Sequence, residues 1–195
     1  MEASLSFDLS GFQGADVPTP LGVFRMGYRD EEVAFVDLRE RGIHQSGFVV
    51  PGRVERPPFP RDSPPDQLTR YFRGELKEFH VTLTFPSGGP FAQKVWAELA
   101  RIPFGSYRTY GDVAKRIGRP GAARAVGGAA RQNPIPIIVP CHRLVGSDRS
   151  LTGFGLGLWR KRWLLRHEGI YPLPRRPGDP SRRLRQTTLF SSPTE

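Results

Sequence analysis

The run "PGAARAVGGAARQNP" (120–134) restricts what this chain can fold into. Between 121 and 130 eight positions are Gly or Ala, and Arg124 is the only long side chain. Glycine costs a helix interior about 1 kcal/mol relative to alanine. A helix here cannot rest on its own propensity and needs another surface at close range. Two surfaces fit: a neighbouring helix packed backbone to backbone, or a DNA minor groove only about 6 Å wide, with Arg124 as the projecting probe. The pattern alone leaves both open.

The residues before it, "TYGDVAKRIG" (109–118), predict a second short helix. Thr109 stands as N-cap with Asp112 three positions on, a capping-box variant. Val113, Ala114 and Ile117 supply its apolar stripe and Gly118 stops it. Pro120 is expected in the first turn of the next helix. Two short helices joined by a glycine-containing turn form a helix-turn-helix candidate. Upstream, "FAQKVWAELARI" sets Phe91, Val95, Trp96, Leu99 and Ile102 on one helical face. Downstream, "LGLWRKRWLLRHEG" (156–169) predicts a closing helix. Leu158, Trp159, Trp163 and Leu165 are expected inward, Arg and Lys outward, with Gly169 as the stop.

The first part reads differently. "LGVFRMGYRD" and "EEVAFVDLRE" predict a hairpin that turns near Arg29-Asp30-Glu31. The proline-rich "PGRVERPPFPRDSPP" (51–65) is a loop. "PPDQLTRYFRGEL" predicts a short helix with Leu68, Tyr71 and Phe72 on one face, ended by Gly74. "FHVTLTF" (79–85) alternates as a strand does, and "PSGGP" (86–90) is a candidate linker. The expected class is α+β. Residues 1–85 form a small supporting domain with antiparallel strands, in which nothing looks catalytic. Residues 86–170 form a mainly helical domain with a short active-site strand, and 171–195 a disordered basic tail.

Charge separates the same parts. Residues 1–85 hold 10 basic and 13 acidic side chains, whereas 86–170 hold 14 basic and 4 acidic. Basicity confined to one segment points to a polyanion-binding face. No apolar run is long enough to span a membrane, and the acidic N-terminus is not a secretory signal. A single cysteine excludes an internal disulfide and any cysteine-rich metal site, and fits a reducing, cytoplasmic location. No cofactor or metal is expected.

That cysteine, Cys141, lies in "IIVPCHRLVG" (137–146). A thiol reacts as thiolate and needs a base or a positive charge. His142 is adjacent, but in an extended 137–143 segment successive side chains point to opposite faces. A water or a bend at Pro140 would then connect the two. Glu168 is a candidate to orient the imidazole. A buried spectator cysteine and a hydrolase nucleophile both remain open on these residues.

"NPIPIIVPCHRLVG" (133–146), with "IPFGSYRTYGDVAKRIGRPGAARAVGGAARQNP" before it and "LTGFGLGLWRKRWLLRHEG" after it, resembles the O6-alkylguanine-DNA alkyltransferases, or methylated-DNA–protein-cysteine methyltransferases. The likeness covers about 90–169, and fainter matches lie at "TPLG" and "LTRYFRGEL". It implies a protein that enters the minor groove of double-stranded DNA with its helix-turn-helix. Such a protein flips an O6-alkylguanine, or an O4-alkylthymine, and takes the alkyl group once and irreversibly. By resemblance Cys141 is the acceptor, and His142, through water, and Glu168 generate its thiolate. Asn133 steadies the turn before it. Tyr110 donates to the extruded base and Arg124 fills its place in the stack. Backbone near Val139 and Cys141 reads the base edge, and Pro136 and the 151–155 loop, Phe154 included, line the alkyl pocket. Thr109, Ala122, Ala123, Ala125 and Gly127 approach DNA. Phe154 stands where members often carry tyrosine, and Leu156 where small residues are common. Alkyltransferase-like lesion binders lack the cysteine that Cys141 supplies. The tail peptide "QTTLF", Gln186 to Phe190, resembles a sliding-clamp docking peptide with Thr187 in place of leucine.

Overall fold

Phe24, Met26 and Tyr28 alternate with Val23 and Arg25 along β2 (Gly22–Arg29), and the first three are buried. Period-two alternation puts them on one sheet face. β2 pairs antiparallel with β3 (Glu32–Leu38), and the predicted turn holds Asp30 at φ 50°, a left-handed setting that aspartate tolerates. Apolar residues fill both faces of β3. Val33, Val36 and Leu38 join the main core, while Ala34 and Phe35 join a smaller cluster with Leu9, Phe12 and Val50. The computed structural model describes residues 9–40, 48, 50 and 54–171. The basic tail from 172 on and the Gln186–Phe190 peptide lie outside the described residues.

The sheet has five strands in the order β4-β1-β2-β3-β5. β1 (Gln13–Thr19) was not anticipated: Gly14, Asp16 and Pro18 mask its alternation, yet Ala15 and Val17 are fully buried. Its three central strands are antiparallel. The two-residue edges, β4 (Val54–Glu55) and β5 (Thr82–Leu83), pair in parallel, and β5 is all that forms within 79–85. α1 (Pro64–Phe72) starts on two prolines and is followed by Gly74 at φ 76°. It buries Leu68, Tyr71 and Phe72 as predicted.

Four helical segments complete the described fold. α2 (Pro90–Ala100) buries Val95, Trp96 and Leu99. α3 (Tyr110–Arg116) opens on the predicted capping box: Thr109 Oγ1 accepts from Asp112 N, and Asp112 Oδ2 accepts from Thr109 N, both at 3.1 Å. α4 (Ala123–Arg131) begins later than predicted. Gly121 at φ 90° keeps Pro120 in a turn, and Ala122 is the N-cap. α5 (Leu158–His167) turns its face against expectation. Leu158 and Trp159 are 45% and 53% exposed, while Arg160 and Lys161 are buried. Partners explain the reversal. Arg160 donates to Leu21 O and Leu156 O and pairs with Glu40, and Lys161 donates to Thr152 O and Gly153 O. With the charged heads satisfied, the aliphatic stems pack as apolar groups.

The parts expected as 1–85 and 86–170 share one hydrophobic core, which joins Phe24, Val36 and Tyr71 to Trp96, Ile137 and Leu164. Val36 N donates to Pro134 O at 2.8 Å, so the central sheet holds the lead-in to Cys141. Among the described residues no helix is long and apolar enough to cross a membrane.

Candidate active site

Pro134, Pro136 and Pro140 bring no backbone N–H, so the segment after α4 cannot join a regular ladder. Pro136 and Val139 form an isolated bridge, and Ile137 sits at φ 78°, a setting that a β-branched residue rarely adopts. The extended 137–143 segment is therefore not found. Cys141–Arg143 is a single 3-10 turn, and the strand that follows, β7 (Leu144–Val145), pairs in parallel with β6 (Arg108–Thr109). This pairing brings the start of α3 beside the cysteine turn. The turn also gives Cys141 and His142 different surroundings, and His142 Nδ1 has no hydrogen-bond partner among the described residues, Cys141 included.

The fold brings Asn133, Cys141, His142 and Glu168 together, and all four are buried. Asn133 Nδ2 donates to Val139 O at 2.8 Å and to Cys141 Sγ at 3.2 Å, while its Oδ1 accepts from Ile135 N. One amide therefore shapes the turn and points a donor at the sulfur. His142 Nε2 lies 2.8 Å from Glu168 Oε1. An ionised carboxylate only accepts, so Nε2 carries the proton and Nδ1 is left as the basic lone pair.

Three groups around Glu168 were not foreseen. Arg143 binds both carboxylate oxygens, Nη2 to Oε1 and Nε to Oε2, each at 2.8 Å, and its Nη1 donates to Ile102 O. Tyr71, from α1, donates its hydroxyl to Oε1 at 2.8 Å, and Gly105 N donates to Oε2 at 3.4 Å. The sequence did hold one signal. An arginine beside a buried cysteine needs a carboxylate, and the basic segment has only 4 acids to offer. Tyr71 had no such signal, since it reads as an ordinary core aromatic.

These contacts set the protonation states. Burial opposes the charge on Glu168, but His142 and Arg143 outweigh it and bring the pKa down to about 2. Burial pushes the His142 imidazole down against the pull of Glu168, so it rests neutral. Burial also pushes the Cys141 thiol up, opposed by the Asn133 donor, the Lys161 ammonium and the Cys141 and His142 backbone N–H groups. The resting pair is a thiol and a neutral imidazole. Lys161 is a fourth unforeseen group. Burial lowers it to about 8, and it lies within electrostatic reach of the sulfur.

The remaining predicted residues surround this centre. Tyr110 opens α3 and donates to Thr152 O at 3.0 Å. Phe154 is half-buried, its ring edge-on to His142 with 6.5 Å between centroids. Pro136 is buried. Val139 offers no free backbone group: its N–H donates to Ile135 O, and its carbonyl accepts from Asn133 Nδ2 and Cys141 N. On α4, Val126 and Ala129 face inward, and Trp96 Nε1 donates to Ala129 O at 2.7 Å. Arg124 and Ala125 are exposed, and Ala122, Ala123 and Gly127 are half-buried. A methyl on Gly127 would meet the Tyr110 ring at 3.6 Å, whereas one on Gly128 would meet nothing within 4 Å. Internal packing thus accounts for part of the small-residue pattern, and the outer face of α4 stays open.

Residues 90–170 match the family described as 6-O-methylguanine DNA methyltransferase, DNA binding domain. The chain is 42% identical over 144 residues to the methylated-DNA–protein-cysteine methyltransferase of Salmonella typhimurium, covering 73% of this chain and 78% of that one. It is 52% identical over 152 residues to the enzyme of that name from Methanosarcina acetivorans, covering 77% and 94%. The fold superposes on Mycobacterium tuberculosis OGT, solved in complex with DNA, with a TM-score of 0.69 at 40% identity, covering 80% and 92%. Identity of this depth over most of both chains, with the same fold, places the chain in the methylated-DNA–protein-cysteine methyltransferase family of DNA repair alkyltransferases.

Proposed function

We propose that this protein transfers the alkyl group, mainly methyl, from O6 of guanine in duplex DNA to Cys141, and that it accepts O4-alkylthymine in the same way. The observation that carries the reading is the buried pair Glu168–His142, whose Nδ1 has no hydrogen-bond partner among the described residues, next in sequence to a cysteine whose sulfur already accepts from Asn133. His142 Nδ1 takes the thiol proton through a bridging water, and Glu168 with Arg143 balances the imidazolium. The thiolate attacks the saturated alkyl carbon in line. The S–C bond forms, the C–O6 bond breaks, and its electron pair leaves with the guanine, which a proton neutralises. No oxyanion hole is needed. The thioether does not hydrolyse, so each molecule acts once.

Access to the alkyl carbon requires base flipping. α4 enters the minor groove with the exposed Ala125 and Gly128 and the half-buried Ala122, Ala123 and Gly127 beside them, and Arg124 fills the gap in the stack. The solved DNA complex of the Mycobacterium tuberculosis relative supports DNA as the partner. Tyr110 moves its hydroxyl from Thr152 O to the extruded base. Pro136 and Phe154 wall the alkyl pocket, and Thr109 and its capping box fix the turn at the DNA face. The protein acts in the cytoplasm. Gln186–Phe190, on its sequence, is a docking peptide for the sliding clamp.

The test is mass spectrometry after mixing with a duplex containing O6-methylguanine. One added methyl on the Cys141 peptide and a one-to-one endpoint are expected. Turnover beyond one equivalent, or an unlabelled peptide, rejects the reading.

A further inference from the structure

One side chain of α1 reaches the carboxylate at the reactive centre. Tyr71 Oη, from α1, lies 2.8 Å from Glu168 Oε1, although the two residues are 97 positions apart. The side chain is fully buried. Its ring packs against Phe72, Phe79, Phe104 and His167, with centroids 5.1 to 6.2 Å away. Its carbonyl accepts from His167 Nε2 at 2.7 Å. Phenylalanine would satisfy all of that packing. The hydroxyl adds the bond to Glu168, within reach of the Arg143 guanidinium that grips the same carboxylate, and a buried hydroxyl is costly unless it is bonded.

The placement of that bond matters. Oε1 receives three donors: His142 Nε2, Arg143 Nη2 and Tyr71 Oη, each at 2.8 Å. Arg143 alone is a planar fork that spans both oxygens, and it leaves the carboxylate free to tilt about the axis between the two groups. A third donor, from a different element, removes that freedom. It fixes Oε1 where the His142 ring must meet it.

We infer that Tyr71 is a positioning residue for methyl transfer: its hydroxyl locks Glu168 Oε1 and thereby holds His142 in the Nε2–H tautomer, with Nδ1 as the base. The role rests on the methyl-transfer reading above. It gives the N-terminal part of the chain a share in the chemistry beyond support.

Tyr71→Phe in the full chain tests this. Three quantities are measured: the single-turnover methyl-transfer rate, the ring-nitrogen NMR shifts of His142, and the melting temperature. The rate is expected to fall roughly tenfold, the size of a lost hydrogen bond to a charged group. The His142 shifts are expected to move from one tautomer to an averaged mixture. A wild-type rate with unchanged His142 shifts overturns the inference, even if the protein melts earlier. Should the variant not fold, 3,5-difluorotyrosine at 71 keeps ring and hydroxyl while altering donor strength. His142 shifts that do not respond to it overturn the inference equally. The NMR readout needs no DNA. A wild-type protein that is never methylated therefore rejects the proposed function without bearing on the Tyr71–Glu168–His142 coupling.

Discussion

Asn133 Nδ2 lies 3.2 Å from Cys141 Sγ, and the same nitrogen holds Val139 O at 2.8 Å. Burial discourages a thiolate at this depth, so the donor aimed at the sulfur becomes most valuable when the charge forms. A carboxylate in its place would instead oppose the charge.

Asn133→Asp keeps the shape and inverts that effect. Methyl transfer at neutral pH is expected to drop by about 100-fold or more, as when a preorganised donor is removed from developing charge. The rise of rate with pH should also move to higher pH. Single-turnover kinetics across a pH series would contradict this by matching the wild type.

Glu168 is expected to carry stability as well as chemistry. Its pKa is about 2 in the fold against an ordinary 4.5. On acidification the unfolded chain takes up this proton first. The contribution is complete above about pH 5 and disappears as pH falls from about 4.5 towards 2, about 3 kcal/mol in all. Glu168→Gln should flatten that part of the acid limb. At pH 7 it should cost roughly 3–5 kcal/mol, because Arg143 is left buried without its counter-charge. Urea titrations of both proteins at several pH values decide the point.

Arg124 is exposed on α4. Arg124→Ala should leave the melting temperature within about 1 °C, since surface changes seldom exceed 0.5 kcal/mol. Repair of duplex O6-methylguanine should slow by about tenfold or more, because an extruded base costs a few kcal/mol to hold. The free methylated base should react with both proteins alike. Equal slowing on duplex and free base would remove Arg124 from the flipping step.

Lys161 is a buried cation near the sulfur, lowered to about 8. Its charge favours the thiolate. Lys161→Met retains the buried stem and deletes the charge. Alkylation of Cys141 should become severalfold slower at pH 7 and recover at higher pH. A parallel drop at every pH would point to packing instead.

Much of the site could be read before folding. Cys141, His142, Asn133 and Glu168 were identifiable by kind and by resemblance, and they converge. The capping box of Thr109 and Asp112 forms as written, because its atoms are three residues apart and its geometry is local. Distant partners decided other features. Lys161 and Arg160 turn inward on α5 because carbonyls of Leu21, Thr152, Gly153 and Leu156 meet them there. Hydropathy along one helix carries no word of those carbonyls. The cysteine turn replaces the expected strand because three prolines and a left-handed Ile137 break the ladder, while the available strand pairing lies three residues later.

The residue types and their local spacing determined that this chain has a helix pair, the second helix made almost wholly of small residues, and a single cysteine next to a histidine. Those are properties of neighbours in sequence. Only the tertiary structure decided that Glu168 would be clamped by Arg143, Gly105 and Tyr71, the last from 97 residues away. A buried carboxylate takes whichever donors the packed core brings to it, and that assembly of distant segments is what holds His142 Nε2 and leaves its Nδ1 without a partner among the described residues.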